Sequence, residues 1–488
     1  MRKRAVLDEP LICERGSPGR VGYSLPADDL PERELNRDLP ANLCRETLAQ
    51  FPEVSEAEVV RHFTRLSQWN FSAATTLYPL GSCTMKYNPV VNEMAARLLG
   101  FAQLHPLTPD DCAQGALALL AGLERCLAEI SGMDAISLQP AAGAQGELTG
   151  MKLIRAYHVD RGHPRKKVLI PGSAHGTNPA SAALCGYAVV EAPTGAAGML
   201  EATTVAKFVD ADVAALMVTN PNTLGLFERE IVQITEALHA YGALVYMDGA
   251  NLNALMGVAK PGHMGADVIQ FNLHKTFSTP HGGGGPGAGP VGVKKILEPY
   301  LPNPRLVQQD GQYVWSDAFP QSIGKVRSFY GNFGVLVRAY AYILAMGSDG
   351  LTQATRMAVL NANYIRKRLE GTYDLASDAP CMHECVFSDA SFKHSSVKTL
   401  DIAKRLLDYG FYAPTIYFPL VVSGALMIEP TETETKETLD EFVDALLAIA
   451  YEIRTSPEAL REAPMTTPVS RLDETRAARH PVLRWGKG

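Results

Sequence analysis

Between about residue 112 and residue 293, short apolar runs alternate with stretches of helical periodicity, and no other feature constrains the fold of this chain as strongly. The runs are Ala135 to Gln139, Val168 to Ile170, Ala188 to Val190, Ala215 to Val218, Leu244 to Met247, Val268 to Phe271 and Val291 to Val293. Strands spaced in this way with helices between them predict a mostly parallel sheet covered by helices, an α/β fold. In such a sheet ligands sit at the carboxyl ends of the strands, so the residues just after each run are where chemistry is expected.

The flanking segments are less regular. Residues 1 to about 45 are rich in Pro, Arg and Asp without sustained periodicity, and predict an extended arm that needs another surface to lie on, such as a partner subunit. Ser55-x-x-Glu58 is a capping-box pattern that opens a helix. Leu120, Leu123, Leu127 and Ile130 recur at helical spacing, and Gly132 stands where that helix would end. After about 330, helical segments lead to Thr415 to Val422, to Ala425 to Ile428, and to a helix from about Lys436 to Glu452, which together predict a smaller C-terminal α/β domain. The expected division is an arm and helical segment over 1–110, a large domain over 111–330 and a small domain over 331–488.

Composition excludes several classes. The 488 residues carry 45 basic and 52 acidic side chains, so no long-range field draws the chain to nucleic acid or to an anionic membrane, and any phosphate site must be local. The first residues are basic but lack the apolar segment of a signal peptide, and no apolar run approaches the roughly 18 residues of a membrane span. A cytoplasmic location is expected. Eight cysteines are too dilute for a disulfide framework. Cys381, His383 and Cys385 could share one strand face, but no second ligand pair follows at zinc spacing, and no metal is expected.

Four clusters fall at strand ends. In Asn272-Leu-His-Lys275-Thr276 a lysine closely follows an apolar strand; partly desolvated, its amine would be a nucleophile toward an aldehyde, although taken alone it reads more readily as a surface lysine capping a strand end. Asp248 ends another strand, with Gly249, Ala250 and Asn251 after it. A carboxylate there can keep a pyridine nitrogen protonated, and Ala250 is small enough to let a ring lie near the backbone. The alternative, an acid on a ribose, needs a glycine fingerprint upstream. His175, in Ser173-Ala-His175-Gly-Thr-Asn178, could stack on a ring or be a satisfied structural histidine. Gln139-Pro-Ala-Ala-Gly143-Ala144-Gln145-Gly146 is a small-residue loop entering a helix, either a plain turn or a cradle of N–H groups for a phosphate. Gly287-Ala-Gly289-Pro-Val-Gly292 fits a dinucleotide pattern only literally, because a glycine run precedes it and Pro290 interrupts it. The run Gly282 to Gly285 lacks a P-loop ending and is read as a mobile or closely packed loop beside Lys275.

Phosphate loop, histidine, aspartate and lysine on successive strand ends resemble the aspartate-aminotransferase-like, fold type I, pyridoxal-phosphate enzymes. Longer strings narrow the resemblance: Pro79-Leu-Gly-Ser-Cys-Thr-Met-Lys86, Ala174-His-Gly-Thr-Asn-Pro-Ala-Ser181, His274-Lys-Thr-Phe-Ser-Thr-Pro-His281 with its glycines to Gly287, and Ile428-Glu-Pro-Thr-Glu-Thr-Glu434. With Pro481 to Trp485 at the end, the chain resembles the glycine cleavage system P-protein over nearly its whole length, and in particular the lysine-bearing half that is the second subunit of the split form. The resemblance implies Lys275 holding pyridoxal phosphate as a Schiff base, His175 stacking on the ring, Asp248 at the pyridine nitrogen, and Gly143, Ala144, Gln145, Gly146 and Thr276 around the phosphate, with His274, Lys86, Arg327 and Asn251 as further contacts. It implies decarboxylation of glycine with transfer of the aminomethyl group to the lipoyl arm of H-protein, and a related first subunit as partner in a heterotetramer. The alternatives are another fold type I enzyme independent of lipoyl protein, a non-catalytic assembly subunit, and a nucleotide-binding module resting on the glycine runs.

Overall fold

A computed structural model describes residues 9–24, 26, 27, 29, 31, 33, 35–44, 51–281 and 285–485. It forms two compact units, Met1–Ser72 with Glu462–Gly488, and Ala73–Arg461. These limits differ from boundaries at 110 and 330 for a packing reason. The long helix Phe333–Leu369, kinked at Gly347, gives Val335 to Ile343 to one core and Ala362, Ile365 and Leu369 to another, so the two sheets stay in one unit.

The larger sheet has seven strands, β1 Ala135–Ser137, β2 Lys167–Pro171, β3 Ala188–Ala192, β4 Val213–Thr219, β5 Leu244–Gly249, β6 Val268–Phe271 and β7 Val291–Val293. Their order is β1-β7-β6-β5-β4-β2-β3, parallel from β6 through β3, with β7 antiparallel to both β1 and β6. Every residue of β4, β5 and β6 is buried, as expected of strands with helices on both faces. Each apolar run singled out above is one of these strands.

A hairpin follows, β8 Arg305–Gln309 and β9 Gln312–Ser316, turning at Asp310 and Gly311, both with positive φ. The smaller sheet is antiparallel, in the order β10 Asp374–Leu375, β11 Cys385–Ser388, β13 Ala425–Ile428, β12 Thr415–Ile416. Cys381 and His383 precede β11, so they do not share a strand face with Cys385 as the spacing suggested. The helix expected near Lys436 runs Lys436–Thr455.

In the other unit, Ser55 caps the helix Glu56–Trp69 through the expected box: Glu58 N donates to Ser55 Oγ at 3.4 Å, and the Glu58 carboxylate accepts from Ser55 N at 2.8 Å. The expected arm is partly laid on this helix of its own chain. Glu9 meets His62 and Arg65, Arg20 pairs with Glu58, and Ser17 N donates to Glu53 O at 3.1 Å. Val21, Tyr23, Leu39, Leu43 and Phe51 remain exposed. Among the described residues, no helix is long and apolar enough to cross a membrane. Gly282 to Gly284, of the glycine run near Lys275, lie outside the described residues.

Candidate active site

A cavity of about 190 Å³ opens at the carboxyl ends of the parallel strands. Its wall brings together Gly143, Ala144, His175, Asp248, Ala250, Asn251, His274 and Lys275, four strand-end clusters spread over some 130 residues of sequence.

Asp248 is the next-to-last residue of β5 and is almost wholly buried. Its Oδ1 accepts from Ala250 N at 2.9 Å and from the amide of buried Gln270 on β6. In the orientation of the Asn178 amide that its neighbours require, Nδ2 donates to Asp248 Oδ2 at 3.2 Å and to Glu147 Oε2 at 2.9 Å. The carboxylate is thus aimed by three donors from three elements, which restrains its rotation before anything binds.

Lys275 lies in the turn Leu273–Thr276 that follows β6, and its Nζ donates to Ser82 O at 2.8 Å. Ser82, held at φ 63, belongs to the loop between Pro79 and Lys86, and its own N–H donates to the buried Glu384 carboxylate at 2.8 Å. At the other end of that loop, buried Lys86 donates to Glu432 at 2.6 Å, to Asn253 at 2.7 Å and to Thr276 O at 2.9 Å. Burial works against the Lys86 charge, but Glu432 and Tyr342 outweigh it and hold the pKa above the ordinary lysine value. Lys86 therefore fastens the turn behind Lys275 and does not line the cavity.

The first turn of the helix Gly143–Asp160 faces the cavity with Gly143 and Ala144. A Cβ on Gly146 would stand 2.7 Å from Gly289 O, closer than real Cβ atoms approach backbone, so this turn packs directly on the chain before β7. Three expected contacts lie elsewhere. Gln145 turns away, accepting from Ala141 N and donating to Val326 O, each at 2.7 Å. Thr276 is fully buried outside the cavity wall, and Arg327 donates to Ser328 O and to Asn332 Oδ1.

A family model described as glycine cleavage system P-protein matches residues 24–313, and one described as glycine dehydrogenase, C-terminal domain, matches residues 354–467. A probable glycine dehydrogenase (decarboxylating) subunit 2 of Caldanaerobacter subterraneus subsp. tengcongensis is 56% identical over 478 residues, 98% of this chain and 99% of that one. The chain belongs to the glycine cleavage system P-protein family. The counterpart of the same name in Listeria welshimeri is 55% identical, over 98% of both chains. Among solved structures, a glycine decarboxylase (P-protein) of the glycine cleavage system in inhibitor-bound form shares the fold, with a TM-score of 0.71 and 22% identity over 85% of this chain and 94% of that one. A cysteine desulfurase of Escherichia coli does so with a TM-score of 0.60 and 17% identity, over 82% and 99%.

In this P-protein family member the cavity holds polar groups that strand-end reading passed over. Glu147, Thr177, Thr219, Thr223 and Asn272 line it, and Ser82 enters from the loop between Pro79 and Lys86. The Glu147 carboxyl is pushed up to about 8, first by burial and then by Asp248. The His274 imidazole is pushed down to about 4 by burial and by the Lys275 charge. His175 presents its surface to the cavity mouth, yet its surroundings desolvate it enough, with Lys275 adding, to lower its pKa. Both imidazoles are therefore neutral at neutral pH.

His383 does not gather with Cys381 and Cys385. Among the described residues it clusters with buried Glu384 and Glu429, their ligand atoms within 4.8 Å of one another.

Proposed function

We propose that this chain decarboxylates glycine with pyridoxal phosphate held on Lys275, and passes the aminomethyl group to the lipoyl arm of H-protein. The observation that carries this reading is the convergence of Lys275, Asp248, His175 and the Gly143–Ala144 turn on one cavity. The donor set fits the cofactor: an amine for its aldehyde, a carboxylate for its pyridine nitrogen, a flat neutral ring to lie against it, N–H groups at a helix start for its phosphate, and Ala250 leaving room near the backbone. Of the phosphate set that the resemblance implied, Gly143 and Ala144 line the cavity.

Bound pyridoxal phosphate supplies an electron sink for the charge left on the substrate carbon when CO2 departs. The chain's own groups do the rest. Asp248, fixed by its three donors, keeps the proton on the ring nitrogen. Ser82 O holds the Lys275 amine at the strand end, and the small cavity favours an amino acid without a side chain. His274, kept neutral by burial and by the Lys275 charge, accepts from Ala288 N at 3.3 Å and adds no positive charge beside the Lys275 amine.

The relatives named as subunit 2 support a two-chain enzyme with a related first subunit, which we extend to a heterotetramer in the cytoplasm. In that assembly residues 111–330 would carry the cofactor, 331–488 would complete the catalytic chain, and the exposed part of 1–110 would lie on the partner. The test is borohydride reduction of the chain loaded with pyridoxal phosphate, followed by peptide mapping. A label on Lys275 that disappears in Lys275→Ala supports the reading; a label elsewhere, or binding undiminished in the variant, defeats it.

A further inference from the structure

Five side chains form one continuous hydrogen-bonded path along the cavity wall. His175 Nδ1 lies 2.8 Å from Thr177 Oγ1, Thr177 Oγ1 lies 2.9 Å from Glu147 Oε1, and Glu147 Oε2 accepts from Asn178 Nδ2, whose nitrogen also reaches Asp248 Oδ2. The path joins the two groups that would grip the cofactor ring, one above it and one at its nitrogen. Glu147 stands at its centre, only 5% exposed, one turn into the helix Gly143–Asp160.

Counting protons along this path gives it direction. Asn178 spends one N–H on each carboxylate, so Glu147 Oε2 must accept. Thr177 has a single hydroxyl proton, and two arrangements run the length of the path, the second of which also lets His175 Nδ1 accept from Thr177 N at 3.4 Å. When Glu147 is ionised, Thr177 donates to Oε1, its oxygen accepts from His175, and the imidazole carries its proton on Nδ1. When Glu147 is protonated, Oε1–H donates to Thr177, Thr177 donates to His175, and the ring proton moves to Nε2. We propose that Glu147 is a positioning residue whose protonation state sets the tautomer of His175 and, through Asn178, steadies Asp248. The inference rests on the reading that His175 and Asp248 bind pyridoxal phosphate.

The charged and titratable groups facing Glu147 are Asp248 and Tyr246 on β5, Lys275 after β6 and His175 after β2. Burial and Asp248 favour the protonated carboxyl, while Thr177 and Lys275 oppose it. The switch therefore falls near pH 8, where His175, with its lowered pKa, is neutral and its tautomer is a meaningful property.

Glutamine at this position imitates the protonated acid, because its Nε2 can donate to Thr177 while its oxygen accepts from Asn178. The experiment is ¹⁵N NMR of histidine-labelled chain without added cofactor, His175 being assigned by its loss in His175→Asn. The wild type is expected to carry the ring proton on Nε2 at pH 6.5 and on Nδ1 at pH 9.5, whereas Glu147→Gln keeps it on Nε2 at both. Affinity for pyridoxal phosphate should fall on the order of tenfold in Glu147→Ala, the scale of loss when the support behind a metal-binding histidine is removed, and return most of the way in Glu147→Gln. A His175 tautomer that is the same in both proteins at both pH values overturns the inference. The wild type failing to bind pyridoxal phosphate would instead strike the functional reading, so the two failures are told apart.

Discussion

Asp248 and Lys86 are both buried ionisable side chains, yet they should fail in different ways when removed. Asp248→Ala takes away the group that keeps the ring nitrogen protonated while leaving the amine, the helix start and His175 in place. Cofactor binding should survive in part, and turnover in the assembled enzyme should fall by about 10²- to 10³-fold, the usual loss when one preorganised electrostatic partner is deleted. Turnover at the parent rate would show that Asp248 is not that partner. Lys86 touches no cavity surface, but Lys86→Ala strands Glu432 and the Thr276 carbonyl. Removing one half of a buried pair costs about 3 to 5 kcal/mol, so the urea midpoint should drop sharply; a loss below about 1 kcal/mol would mean that the pair is not structural. The sequence put Lys275, Asp248 and His175 near the ends of apolar runs, and the fold brings all three to one cavity wall. Glu147, Thr177 and Asn178 were not legible in this way, since their role exists only once loops after β1, β2 and β5 meet. Gln145 shows the limit of reading a loop as a unit: successive helical residues point about 100° apart, so a neighbour of Ala144 can face another wall.

At the scale of elements, β4, β5 and β6 could be read because burial on both faces leaves uninterrupted apolar runs, whereas β3, mostly exposed, was read from a short apolar run alone. The direction of β7 could not, since a run of Val-Gly-Val is the same whichever way it is threaded. The hairpin β8–β9 carried a usable sign in Asp310-Gly311 between runs of alternating residues, the turn that favours positive φ at both central positions. The start of the helix Gly143–Asp160 is the element most exposed to a single change. Gly146→Ala drives a methyl group into Gly289 O, which is backbone and cannot swing aside. A cost of about 1 to 3 kcal/mol is expected, with weaker pyridoxal phosphate binding from the displaced turn. Unchanged stability and affinity in the Gly146→Ala chain would mean that this contact is not tight.

For the whole molecule, several buried carboxyl groups titrate far above their unfolded range. Burial raises Glu147 to about 8 and Glu228 and Glu384 to about 7. A raised folded pKa gives stability that is full below the unfolded value near 4.5 and is lost as pH climbs through 7 to 8. His158 and His274, lowered to about 4, act in the opposite sense, but their stability is lost only as pH falls from about 6.5 toward 4. Thermal unfolding of the chain without cofactor should therefore show a lower Tm at pH 8.5 than at pH 6.5; an equal or higher value would mean that these acids are not held protonated in the fold. The arm was legible as irregular, but its anchoring on Glu56–Trp69 was not, because ion pairs such as Glu9 with Arg65 join positions of no shared periodicity. The remaining exposed apolar residues of the arm are where a partner chain is expected to lie. The central claim is tested most directly by measuring CO2 released from carboxyl-labelled glycine in the assembled two-chain enzyme with pyridoxal phosphate, with and without lipoylated H-protein. Release that depends on H-protein and vanishes with Lys275→Ala is the predicted result, and equal release without H-protein, or none with it, would contradict the account.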